Sequence, residues 1–262
     1  MPNKKNYFIG LIRLLSIVLW IVTMPLVYMV ARLLRLPGYL KLPHVFHAGV
    51  CRILGIKVFV SGEMSTVRPT LYLSNHVSYV DIFVLGQLPA YFIAKAEVAS
   101  WPVLGTLAQF QNTLFIERKA GRAKQQLKVL QDHLEQNNSL TLFPEGTSTN
   151  GTHVESFKSS LLESANLASG KRVAIQAVTV AYTHYDGELI TDQATRDHYA
   201  WYATMPFLSH FLGLMPRKTV SAKIHFHPVC YLEDFKTRKD CAAHCQKLVA
   251  DQLQNFVNDS SS

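Results

Sequence analysis

Residues 70–81 read TLYLSNHVSYVD. The run Thr70-Leu71-Tyr72-Leu73 has the β-branched, apolar and aromatic character of a short strand. Polar Ser74-Asn75-His76 then leave its C-terminal end, which is where sites collect in open α/β sheets. Outward from this point the same alternation continues. Residues 57–60, 91–94, 113–116 and 140–143 read as strands, and 173–182 and 221–227 as two more. Residues 121–137 show helical spacing through Leu127, Leu130 and Leu134, ending at Asn137-Asn138, and 239–257 read as a second strong helix. The order predicts an α/β domain over residues 56–258, built on a mixed sheet flanked by helices. Residues 185–217 carry Trp201, Tyr202, Phe207, Phe211 and Leu212 among polar residues. They fit neither pattern and are expected to form an excursion on the substrate or membrane side.

The N-terminus differs. Leu14 to Ala31 reads LLSIVLWIVTMPLVYMVA, without a charge, which makes about 27 Å of helix, close to the thickness of a bilayer core. Pro25 should kink it. Lys4, Lys5 and Arg13 precede the run and Arg32, Arg35 and Lys41 follow it, so the positive-inside rule assigns no orientation. A second stretch, 42–56, mixes apolar residues with His44, His47 and Arg52. Residues 1–55 are expected to form a membrane-anchoring helical segment. It is either one transmembrane helix or a two-helix motif dipping into one leaflet, and the basic residues at both ends favour the pair. A cleaved signal peptide fits less well, because the apolar run is too long and no small-x-small site follows. A buried core helix would be shorter and more polar.

The chain of 262 residues is 48% hydrophobic and carries 26 Lys and Arg against 18 Asp and Glu, a net charge of +8. A basic protein calls for an anionic partner. With no dense Lys/Arg run interleaved with aromatics, nucleic acid is not expected, and membrane lipids are. The four cysteines Cys51, Cys230, Cys241 and Cys245 match no zinc template and are too few for a disulfide framework. They read as buried or partly exposed thiols. His225 and His227 share one face of a strand without a third ligand in view, so they read as structural, and no metal site is expected.

Chemistry concentrates at strand ends. His76 and Asp81 would lie about 140° apart on one continuous helix and could not face each other. With His76 in a loop and Asp81 in the following helix, the carboxylate can reach back to one ring nitrogen and leave the other to take a proton. Phe143-Pro144-Glu145-Gly146-Thr147-Ser148 follows another apolar strand, and its Pro and Gly force a tight turn that brings backbone N–H groups close to a ligand. Lys95 and Arg118 end two further strands, and either cation can pair with phosphate. Four such features can converge on one cleft.

These blocks resemble the lysophospholipid acyltransferase family that includes the 1-acylglycerol-3-phosphate acyltransferases. The resemblance rests on NHVSYVD, on LFIER ending at Arg118, on FPEGTS, on AIQAVTVAY and on the spacer AKAEVASWPVLG, and it covers residues 58–182. In AIQAVTVAY, Ala177 stands where a Pro is common, so no catalytic role is assigned there. The resemblance implies that His76 deprotonates the free hydroxyl of a lysolipid, which attacks the thioester of acyl-CoA or acyl-carrier protein. It implies that Asp81 orients His76, that backbone N–H groups around Gly146 hold the oxyanion, and that Lys95, Arg118, Glu145, Gly146 and Thr147 bind the acceptor headgroup. No metal, cofactor or acyl-enzyme is implied. Two longer stretches, FPEGTSTNGTHVESFKSSLLESA and WYATMPFLSHFLGLMPRKTVSAKIHFHPV, are similar to a bacterial branch that includes lyso-ornithine lipid acyltransferases. Lysophosphatidic acid, giving phosphatidic acid, is the first acceptor expected, and a lyso-ornithine lipid or other lysolipid the second. A catalytically silent lipid-binding protein and a thioesterase-like hydrolase are the readings from other classes. The expected location is a membrane, at the cytoplasmic face of a bacterial inner (plasma) membrane.

Overall fold

The uncharged N-terminal run forms one helix, α1 (Tyr7–Leu33), capped by the Asn6 side chain, which accepts the Ile9 N–H. The computed structural model describes residues 6–258 apart from 87, 102–103, 112 and 118–119. The buried residues of α1 are Gly10, Ile17, Met24 and Ala31, one every seven residues. One narrow stripe therefore meets protein, and the remaining faces present Leu11, Leu15, Leu19, Val22 and Val30 outward. The helix is long and apolar enough to cross a membrane. Yet the body holds it along its length. The Asn6 N–H donates to the Pro216 carbonyl and the Arg13 guanidinium to the Arg217 carbonyl, while the Trp20 indole N–H donates to the Phe46 carbonyl. Phe46 belongs to α2 (Leu42–Leu54). Gly49 of α2 allows this approach, since a Cβ there would lie 2.3 Å from the Trp20 ring.

The chain then builds β1 (Ile56–Gly62), β2 (Thr70–Ser74), α3 (Asp81–Leu85), β3 (Ala90–Lys95), α4 (Leu104–Phe110), β4 (Leu114–Ile116), α5 (Ala123–Glu135), β5 (Ser139–Leu142) and β6 (Ala174–Tyr185). It continues with β7 (Glu188–Leu189), α6 (Gln193–Arg196), α7 (Phe207–Leu214), β8 (Val220–Cys230) and α8 (Arg238–Asn258). The strands form a mixed eight-stranded sheet in the order β1-β8-β6-β2-β5-β3-β4, with β7 on β6. β2, β3, β4, β5 and β6 run parallel to one another, so their C-terminal ends share one edge. β8 is antiparallel to β6, and β1 is parallel to β8.

Helices cover both faces. Tyr72 joins a core with Ile17, Met24, Phe46 and Val84, whereas Leu71 and Leu73 join one with Leu130, Leu134, Cys245 and Val249. This explains why β2 reads as a continuous run: both of its faces are buried. Burying each Leu contributes about 1.5–3 kcal/mol. The expected strands and the two long helices all form. Residues 185–217 resolve into the β6–β7 hairpin, α6 and α7. The hairpin turns at Asp186-Gly187, both at positive φ, the dipeptide that a two-residue loop favours.

Candidate active site

The exit from β2 is fixed before any catalytic group appears. The buried Asn75 side chain donates to the Val180 carbonyl and accepts the Val180 N–H, at 2.9 and 2.8 Å. This two-way bond acts as an extra rung between β2 and β6 and sets the direction in which His76 leaves. The His76 N–H donates to Glu145 Oε1 at 2.6 Å, and its carbonyl accepts the Thr149 N–H at 2.9 Å. Its ring stacks on Phe143, with centroids 4.1 Å apart and planes 20° apart.

Asp81 is the first residue of α3 and is fully buried. His76 Nδ1 lies 2.9 Å from Asp81 Oδ2, which also accepts the N–H groups of Val77 and Ser78 at 2.7 and 3.0 Å. Oδ1 accepts the Tyr182 hydroxyl at 2.8 Å. Both carboxylate oxygens are acceptors, so Nδ1 carries the proton of the neutral ring and the Nε2 lone pair is left for another partner. Burial, reinforced by Asp81, pushes the Tyr182 phenol well above its usual range and keeps it a donor. Sequence reasoning missed Tyr182. It sits on a strand buried on both faces, where no alternation distinguishes a structural hydroxyl from core.

The turn after β5 places the second block against the first. The Gly146 N–H donates to the Phe143 carbonyl at 3.2 Å, and Gly146 has φ +77°. Glu145 is expected from sequence to touch the acceptor. Its carboxylate instead spans the backbone, with Oε1 on the His76 N–H and Oε2 on the Glu155 N–H, both at 2.6 Å, and it is only 2% exposed. It does not line the cavity beside His76. Burial pushes its carboxyl up to about 8, with Asp81 adding to the effect and the two N–H donors opposing it.

His76, Tyr79, Lys95, Gly146, Thr147 and Trp201 line one cavity of about 330 Å³, whose remaining wall is largely apolar and reaches Phe46 of α2. Lys95 and Thr147 are exposed at its rim. The structure thus brings His76, Asp81, Lys95, Gly146 and Thr147 to one place, while Arg118 lies outside the described residues. The 185–217 excursion closes one side. The Trp201 N–H donates to the Val77 carbonyl, and the Ser148 hydroxyl donates to the Trp201 carbonyl at 2.6 Å. Tyr79, Trp201 and Phe207 pack edge to face, with Tyr79 hydrogen-bonded to His210 Nδ1 at 3.0 Å. The aromatic residues at 201–211 were visible in sequence, but their partner was not, since the contact links residues more than 120 positions apart.

An imidazole held through Nδ1 by a buried carboxylate, at the wall of an apolar cavity, suits proton abstraction beside a long-chain substrate. Comparison with known proteins agrees. The acyltransferase family model matches residues 57–183. The lyso-ornithine lipid O-acyltransferase of Rhodobacter capsulatus is 38% identical over 212 residues, covering 76% of this chain and 72% of that one. The 1-acyl-sn-glycerol-3-phosphate acyltransferase of Neisseria gonorrhoeae is 36% identical over 118 residues, 44% of each chain. The crystal structure of the 1-acyl-sn-glycerophosphate acyltransferase PlsC from Thermotoga maritima shares the fold with a TM-score of 0.68 at 19% identity, covering 97% of this chain and all of that one. With that share of a relative's length matched, and with NHVSYVD and FPEGTS meeting at one cavity, the chain belongs to the lysolipid acyltransferase family.

Proposed function

We propose that the chain transfers a fatty acyl group from acyl-CoA or acyl-carrier protein directly to the free hydroxyl of a lysolipid, with His76 as general base. The observation that carries this reading is the 2.9 Å bond from Nδ1 to a buried Asp81, which leaves Nε2 as the basic atom at the cavity wall. Nε2 takes the hydroxyl proton as the oxygen attacks the thioester carbonyl. The tetrahedral intermediate then collapses, and the imidazolium returns the proton to the departing thiolate. Backbone N–H groups of the turn around Gly146, which lines the cavity, hold the oxyanion. Glu145 positions the His76 backbone. Lys95, Thr147 and Arg118 serve the acceptor headgroup. The donor is already activated as a thioester, so the step asks for no metal, cofactor or acyl-enzyme.

The acceptor is a lysolipid with an amino-acid headgroup, of the lyso-ornithine kind. The likeness to a lyso-ornithine lipid O-acyltransferase runs over 212 residues, whereas that to the Neisseria gonorrhoeae 1-acyl-sn-glycerol-3-phosphate acyltransferase runs over 118. The longer likeness favours the lyso-ornithine kind of acceptor over lysophosphatidic acid. Residues 1–55 are the membrane-anchoring segment and 56–258 the catalytic domain. The contacts of α1 with the body at Asn6, Arg13 and Trp20 support a pair of helices lying in one leaflet. The face is the cytoplasmic side of a bacterial inner membrane, where thioester donors are made.

The test is an assay of the full-length protein with one labelled acyl-CoA against a panel of lysolipids, with products identified by mass. Diacyl ornithine lipid should form fastest; phosphatidic acid ahead of it would overturn the acceptor assignment. His76→Ala should lose roughly 10²–10⁴-fold of the transfer rate, and a rate near wild type would overturn the mechanism.

A further inference from the structure

Three of the four cysteines, read from sequence as ordinary thiols, meet at one point. Cys230 is the last residue of β8, and Cys241 and Cys245 lie one turn apart on the same face of α8. Their three sulfur atoms lie within 4.8 Å of one another. Cys241 and Cys245 are fully buried, and Cys230 is half-buried. The loop from 231 to 237 separates strand from helix, so the spacing matches no short zinc motif and the convergence appears only in the fold.

Three sulfurs converging from two elements, one of them half-buried, form a donor set that one cation can share. Sulfurs bound to zinc at about 2.3 Å sit about 3.8 Å apart in a tetrahedral site. The observed cluster is within an ångström of that spacing. A soft, all-sulfur donor set selects zinc(II) or copper(I) over hard cations. We propose that Cys230, Cys241 and Cys245 hold one thiophilic cation, zinc(II) or copper(I), as a clasp between β8 and α8. Three S–H bonds break, three metal–sulfur bonds form, and three protons pass to solvent. The half-buried Cys230 gives the cation its way in.

The clasp is structural. Cys230 pairs with Ile175 near the start of β6, and the neighbouring parallel strand β2 leads away from that level to His76 at its far end. The cation would tie down α8, whose Cys245 and Val249 belong to the core that Leu71 and Leu73 enter.

The full-length protein in detergent, reduced and stripped with a chelator, is titrated anaerobically with cobalt(II). One equivalent should give a near-ultraviolet thiolate-to-cobalt charge-transfer band. Its displacement by zinc(II), or by copper(I) alone, identifies the native cation. The displacing cation should raise the Tm by about 5–10 °C at a free concentration about a hundredfold above its Kd. Cys230→Ser, Cys241→Ser and Cys245→Ser should each lose the band, while Cys51→Ala, on α2, should keep it. A measurement on the unaltered protein guards against misfolded variants: the cation should protect Cys230 from native-state alkylation. A band that persists in Cys230→Ser would overturn the proposal. So would the absence of band, Tm shift and protection together, or a disulfide at Cys230 forming readily in a protein that takes up no metal.

Discussion

Tyr182 shows how a buried hydroxyl reaches the proposed base His76 through Asp81. Its hydroxyl is the only described donor to Asp81 Oδ1. Removing a donor from a buried acceptor costs about 1–3 kcal/mol. In Tyr182→Phe the less solvated carboxylate should bind the imidazolium more tightly. The proton should then return to the leaving thiolate more slowly, lowering kcat with little change in KM, and the Tm should fall; an unchanged kcat would remove Tyr182 from the positioning network. Glu145 makes a second prediction. Its carboxyl is raised from 4.5 to about 8 in the folded state, so between those values the folded chain holds a proton that the unfolded chain has released. Stability from this group is complete below about 4.5 and is lost as pH rises through about 8. The loss is of order a few kcal/mol. Glu145→Gln, which cannot ionise, should flatten that part of the Tm–pH curve. A strand-end His with an Asp five residues on is by itself an ordinary structural pair; His76 and Asp81 were legible in sequence because NHVSYVD, followed by FPEGTS, resembles the family's blocks. The buried role of Glu145 was not, because a turn sequence does not say which way its carboxylate points.

At the scale of elements, the strands and long helices follow from patterning that sequence displays. The 185–217 stretch does not, because its order comes from tertiary contacts: Trp201 on Val77, Ser148 on Trp201 and His210 on Tyr79. The cysteine cluster escaped for the same reason. Helix α1 lends itself to a direct test. Leu15 and Leu19 are 61% and 65% exposed, so Leu15→Asp with Leu19→Asp leaves the buried stripe alone. The double variant should lose sedimentation with vesicles while its Tm in detergent changes little. Retained sedimentation would place the lipid contact elsewhere.

The whole molecule combines a net charge of +8 with an apolar helix lying along its body. Charge attraction is screened by salt and apolar burial is not. Affinity for anionic vesicles should therefore fall as salt rises, while the weaker affinity for zwitterionic vesicles stays nearly constant. Parallel loss on both would show that charge has no part in attachment. The seat of α1 has one more consequence, and it concerns birth rather than the finished enzyme. The carbonyls of Pro216 and Arg217 that hold its start are translated roughly two hundred residues after it. At ribosomal speeds that interval is about 10–40 s. Throughout it the leading segment has only the neighbouring α2 to lie against, through Trp20 on Phe46 and Gly49. The bilayer is thus the partner open to its outward leucines, and the two leading helices meet the membrane before the strands that complete their seat have been made.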